Sequence, residues 1–153
     1  MRTELIKTSN TMPVGSLTVV KNFRKVIEGR DIKKMNRELY QFLNLHCGFI
    51  AHYDINGFKS VYCTPKQFAD VFIRHFDSGH RYFNGIHPYH DEQYKDSGFT
   101  KAQIKREFCR IVGMYKDSIT NWAEAKQRNE RYALYLTLKK EFEPDPGRFE
   151  DVE

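Results

Sequence analysis

A chain of 153 residues with 40% apolar and 29% charged residues has the composition of one globular domain with its own core, which excludes a collagenous repeat or a wholly disordered chain. No apolar run approaches the ~20 residues of a membrane span, the N-terminal MRTELIKTSNTMPVG lacks the apolar centre of a secretory signal, and cysteines at 47, 63 and 109 form no paired framework; a cytoplasmic protein without a membrane partner is expected. Charge is uneven. Residues 1–140 hold 24 bases and 14 acids, whereas residues 141–153 hold one base and six acids, so the body favours polyanions or acidic protein surfaces through long-range attraction.

The fold class read from the pattern is mainly α (α+β): a helical single domain over residues 16–142 with one small β-hairpin and a C-terminal helix-turn-helix-like helix pair. Residues 1–15 have weak periodicity and read as an N-terminal arm. A first helix over 17–28 has Leu17, Val19, Val20, Phe23, Val26 and Ile27 on one face, with Gly29 as its stop. Asp31 caps a second helix over 32–46, whose inner stripe is Ile32, Met35, Leu39, Phe42 and Leu43, and Gly48 is available for a left-handed cap. Asn56-Gly57 then stands between two aromatic-rich runs and predicts a hairpin over 49–62, since both residues tolerate the positive φ of a type I′ turn.

Thr64-Pro65-Lys66-Gln67 is a capping box with proline at the first helical position, and it opens a helix over 65–76 with Phe68, Val71, Phe72, His75 and Phe76 on one side. Residues 77–99 form a long loop rich in Gly, His, Tyr and Asp, and long loops are often functional. Thr100-Lys101-Ala102-Gln103 is a second capping box, opening a helix over 101–112, and Ile104, Phe108, Ile111, Val112 and Tyr115 fall within one core-facing arc. Gly113 interrupts it. A further helix over 118–140 follows, although Tyr132, Leu134, Leu136 and Leu138 also alternate as a strand would. Pro144 and Pro146 end it, and residues 143–153 read as an acidic disordered tail.

Residues 100–128 carry the clearest hint of mechanism. Cys109 is a small residue four before Gly113, Val112 and Met114 flank that glycine, and Ile119 and Trp122 follow it by six and nine. This spacing resembles the helix-turn-helix motif of phage-repressor-type proteins. The resemblance implies that Tyr115, Lys116, Asp117, Thr120 and Asn121 point toward duplex DNA, where Asn pairs with adenine, Lys with guanine or phosphate, and Thr with a thymine methyl. It covers about twenty-five residues, and Asp117 puts an acid where DNA approaches.

A second candidate surface combines aromatic and basic residues: Arg81, Tyr82, Phe83, Tyr89 and Tyr94, with Lys95. Such a mixture fits an acidic protein partner as well as stacked bases. His75, His80, His87 and His90 lie close together but lack the spacing of a helical metal site. His46, Cys47, His52 and Cys63 lack a third orienting group for nucleophilic catalysis. No catalytic residue, metal site or cofactor is read from this sequence. The expectation is a small basic nucleic-acid-binding regulatory protein, non-enzymatic, with a protein-binding inhibitor or adaptor module for an acidic partner as the alternative.

Overall fold

The computed structural model describes residues 12–49, 54–77 and 92–143. Within them the protein is mainly helical, with five helices and no strand. These are α1 (Thr18–Gly29), α2 (Arg37–His46), α3 (Ile55–Val61), α4, which begins with an α turn over Pro65–Gln67 and is π-helical over Phe68–Ile73, and α5 (Lys101–Phe142). Short 3-10 turns over Val14–Ser16 and Ile32–Lys34 precede α1 and α2. No helix of the described residues is long and apolar enough to cross a membrane.

The core is aromatic. Phe23 of α1 stacks on Phe108 of α5 with ring centroids 4.0 Å apart, and Phe42 of α2 meets Phe108 edge-on at 5.5 Å. Phe76 also meets Phe23 edge-on, at 5.0 Å. Phe49, Phe58, Phe68 and Phe72 extend this cluster toward α3 and α4. Offset and edge-to-face pairs add ~0.5–1.5 kcal/mol each beyond the burial of area. Of the predicted inner stripes, Val19, Val20, Phe23, Val26 and Ile27 are buried on α1 and Leu39, Phe42 and Leu43 on α2, Ile32 and Met35 are buried ahead of α2, and Leu17 is half-buried just before α1. The capping box at Thr100 forms as predicted, with Thr100 and Gln103 bonding reciprocally, whereas at Thr64 the N-cap half forms, its hydroxyl accepting from the Gln67 N–H.

Five expectations are corrected. The predicted hairpin at 49–62 is a helix in its described part, since α3 runs through Asn56-Gly57. The Asp54 carboxylate accepts from the Gly57 N–H at 2.7 Å, so the Asn56-Gly57 pair that suggested a turn lies in a first helical turn behind an Asp54 N-cap. Ile55, Phe58 and Tyr62 fit i, i+3, i+7 as well as they fit alternation, and Phe58 is fully buried. Asp31 caps only the turn at Ile32–Lys34, and α2 starts later, where Asn36 accepts from the Leu39 N–H. The left-handed residue that ends α1 is Arg30, not Gly29.

The fourth correction concerns Gly113. α5 passes through it without a turn, so the two predicted helices at 101–112 and 118–140 are one helix of 42 residues. A glycine inside a helix costs only ~1 kcal/mol. Ile111, Val112, Ile119 and Ala123 are all buried on the same face, and their contacts with the core outweigh that cost. Residues 131–140 are accordingly helix and not strand. In α4 the widened π turn selects residues four and five apart, so Phe68, Ala69, Phe72 and Ile73 are buried and the predicted Val71 is exposed.

Candidate functional site

The five residues that suggested base readout sit on one continuous helix, with Tyr115 on a different side from the other four. Tyr115 turns toward α1, where its hydroxyl donates to Glu28 at 2.6 Å, and that bond holds the phenol above its ordinary pKa because it requires the proton. Lys116, Asp117 and Thr120 line a groove of about 310 Å³ against α4, with Asp70, Arg74 and Asp77 on the other wall. Lys116 Nζ lies 3.7 Å from the Asp77 carboxylate. Asn121 is exposed and stands i+4 from Asp117. The two-helix unit that the repressor resemblance implies is not formed by residues 101–142, because no turn separates its halves.

Of the aromatic-basic surface, Arg81, Tyr82, Phe83 and Tyr89 lie outside the described residues. Tyr94 is described, and it is a strut. Its ring meets Phe42 edge-on at 5.2 Å, its hydroxyl donates to Glu38 at 3.1 Å, and Lys95 Nζ stands 5.0 Å from its ring centroid. Burial raises its pKa first, with the bond to Glu38 acting the same way.

The residues considered for nucleophilic chemistry are arranged for packing. Cys47 is buried, and desolvation drives its thiol far above the usual cysteine range. The Cys109 thiol is pushed up to about 11 by burial. His75 is buried against the Phe49 ring and bonded to the Cys47 carbonyl. Cys63 is exposed, and its thiol donates to the Ser60 carbonyl. Among the described residues no group of three or more His, Cys, Asp or Glu side chains could hold a metal ion.

The most conspicuous surface is one that motif reasoning passed over. Beyond Ala123 no residue of α5 is buried. Residues 124–142 extend for about 28 Å at the helical rise. This stretch carries Tyr132, Leu134, Tyr135, Leu136, Leu138 and Phe142, each between 40% and 76% exposed. At ~100° per residue the core-facing side chains of the first half (Ile104, Phe108, Ile111, Val112, Ile119 and Ala123) fall within an arc of ~120°. The six apolar residues of the second half centre about 180° away from that arc by the same geometry. The apolar side of α5 therefore reverses along its length, toward the body first and away from it afterwards.

Within the outward arc Leu134 and Leu138 are four apart, and Tyr135, Leu138 and Phe142 follow i, i+3, i+7. Arg128, Arg131 and Lys139 lie among them. Lys139 pairs with Glu143 at 3.5 Å, whereas Arg128 and Arg131 have no ion-pair partner among the described residues. Tyr132 and Tyr135 stack on each other at 6.2 Å. The sequence signal for this site was present in the 132–138 alternation, where apolar residues two apart mark a helix that is apolar over more than one side.

No family model, curated protein or solved structure matches the chain.

Proposed function

We propose that this protein is a non-enzymatic protein-interaction module, an adaptor or inhibitor acting in the cytoplasm, that inserts the far end of α5 into an apolar groove with an acidic rim on a partner protein. The observation that carries the reading is the outward apolar arc of residues 132–142, whose six large apolar side chains are exposed. Large exposed apolar patches mark interaction sites, and anchors at i, i+3, i+4 and i+7 are the pattern by which helices fill grooves. Each apolar anchor that becomes buried contributes ~1.5–3 kcal/mol before ordering costs.

Charge selects the partner. A second copy of the chain is a poor occupant, because parallel pairing sets Arg131 against Arg131 and antiparallel pairing about Tyr135 sets Arg131 against Lys139. Like charges so placed disfavour association. Carboxylates along one rim of the partner's groove complement Arg128 and Arg131. Duplex-DNA readout by Tyr115, Lys116, Asp117, Thr120 and Asn121 is the competing reading. It is weakened by the engagement of Tyr115 with Glu28 of α1 and by Asp70 and Asp77 in the same groove.

The test places a photo-crosslinking amino acid at Leu138 in the native host and then titrates the captured protein, purified, against the full chain. The reading expects one protein with an acidic surface, at least tenfold weaker binding for Leu134→Glu and for the Arg128→Glu/Arg131→Glu pair, and a monomeric chain in sedimentation without partner. A self-dimer abolished by Leu138→Glu, or crosslinks to nucleic acid, would overturn it.

A further inference from the structure

A second surface lies on α1, away from the projecting end of α5, and does not depend on it. Residues 21–37 hold seven bases and two acids. Lys21, Arg24, Lys25 and Glu28 follow i, i+3, i+4, i+7 along one side of α1, and with Gly29 and Lys34 they line an open groove of about 460 Å³. Glu28, the one carboxylate in that lining, is already engaged by Arg24 at 3.2 Å and by the Tyr115 hydroxyl. Lys21, Lys25 and Lys34 have no carboxylate partner among the described residues.

The groove is held in shape by its own hydrogen bonds. Asn22 Nδ2 donates to the Lys34 carbonyl at 3.1 Å, and Asn22 Oδ1 accepts from the Asn36 N–H at 2.9 Å, which fastens the Ile32–Lys34 turn to α1. The Lys34 side chain crosses the end of α1 over Gly29, where a Cβ would stand 3.0 Å from Nζ. At that helix terminus the ammonium also complements the carbonyl end of the dipole.

We infer that this groove is an anchor for the phosphate backbone of duplex DNA, independent of base sequence. Its lining offers ammonium and guanidinium groups with no aromatic or large apolar side chain. The groove has neither the apolar core of a protein–protein interface nor an apolar face to insert into a bilayer, whereas Lys and Arg contacts supply the sequence-independent attraction to duplex phosphates. The groove concentrates part of the body's basic excess on α1 and the Ile32–Lys34 turn beside it.

The experiment is a fluorescence titration of a labelled duplex of arbitrary sequence with the full chain between 50 and 200 mM salt. Three to four phosphate contacts give a slope of log K against log salt of about −3. Replacing Lys21 and Lys25 with Gln makes the slope shallower by about 1.8 and weakens low-salt binding at least tenfold, with the helical circular dichroism unchanged. Lys126→Gln and Lys140→Gln, on the far part of α5, leave the slope as it is. The inference is overturned by absence of duplex binding at 50 mM salt, by an unchanged slope in the Lys21/Lys25 variant, or by polyglutamate competing as well as unlabelled duplex. Each of these outcomes leaves the α5 reading untouched, since that is tested by variants at 128–138.

Discussion

At the residue scale, single side chains join elements that are distant in sequence. Phe108 touches Phe23 of α1, Phe42 of α2 and Phe76 beyond the π turn, so truncation opens a cavity where four segments meet. Phe108→Ala should lower unfolding free energy by about 4 kcal/mol in denaturant titration. Trp122 is half-buried, edge-on to Phe68 at 6.4 Å and under the Arg30 guanidinium at 5.6 Å, and Trp122→Ala should cost about 2 kcal/mol, less than a core aromatic. His46 reports on pH. Burial, then Lys101 and Lys105, lower its pKa below the ordinary 6.5, so the unfolded chain binds the proton more tightly than the folded one. Stability is therefore complete above the unfolded pKa and falls as pH drops below it. Denaturation midpoints at pH 7.5 and pH 5 should differ less in His46→Gln than in the parent chain. The residues of these contacts were legible as members of amphipathic stripes, because helical periodicity is local. Their partners were not, because nothing in spacing says which stripe Phe108 will meet.

At the element scale the same local codes admit two answers in two places, and long-range packing chose between them. Asn56-Gly57 suits a hairpin turn and equally the first turn of a helix, and the Asp54 carboxylate that bonds the Gly57 N–H belongs to the second. Asp54→Ala should destabilise by about 1 kcal/mol, the cost of a lost N-cap; a neutral result would favour the turn. Gly113 reads as a break, yet buried residues on both sides lie on one face and the helix continues. A Cβ at Gly113 meets nothing within 4 Å, and its φ is not in the left-handed region. Gly113→Ala should therefore raise stability by about 0.5–1 kcal/mol, whereas a turn glycine would make the same change destabilising. The candidate site was hidden by this choice. Once Gly113 is taken as a turn, residues 132–142 look like the packed half of a second helix, and their exposed apolar arc has no reason to be noticed.

At the scale of the whole molecule, the fold separates an aromatic core, a cationic groove on α1, and an apolar arc carried outward on the far part of α5. The acidic residues of 144–153 lie outside the described residues, and they follow directly on that arc. Deleting residues 144–153 should leave the thermal midpoint unchanged and tighten duplex binding most at low salt, since attraction between exposed charges is screened over ~8 Å at physiological ionic strength. The outward apolar arc depends on α5 continuing as a single rod past Gly113 and Ala123. A distance between nitroxide labels at positions 106 and 131, in a chain whose native cysteines are replaced, tests that directly. A continuous helix predicts a single distribution near ~38 Å at the helical rise. A distribution below about 25 Å, the separation of two helices folded back on each other across a short loop, would contradict the account.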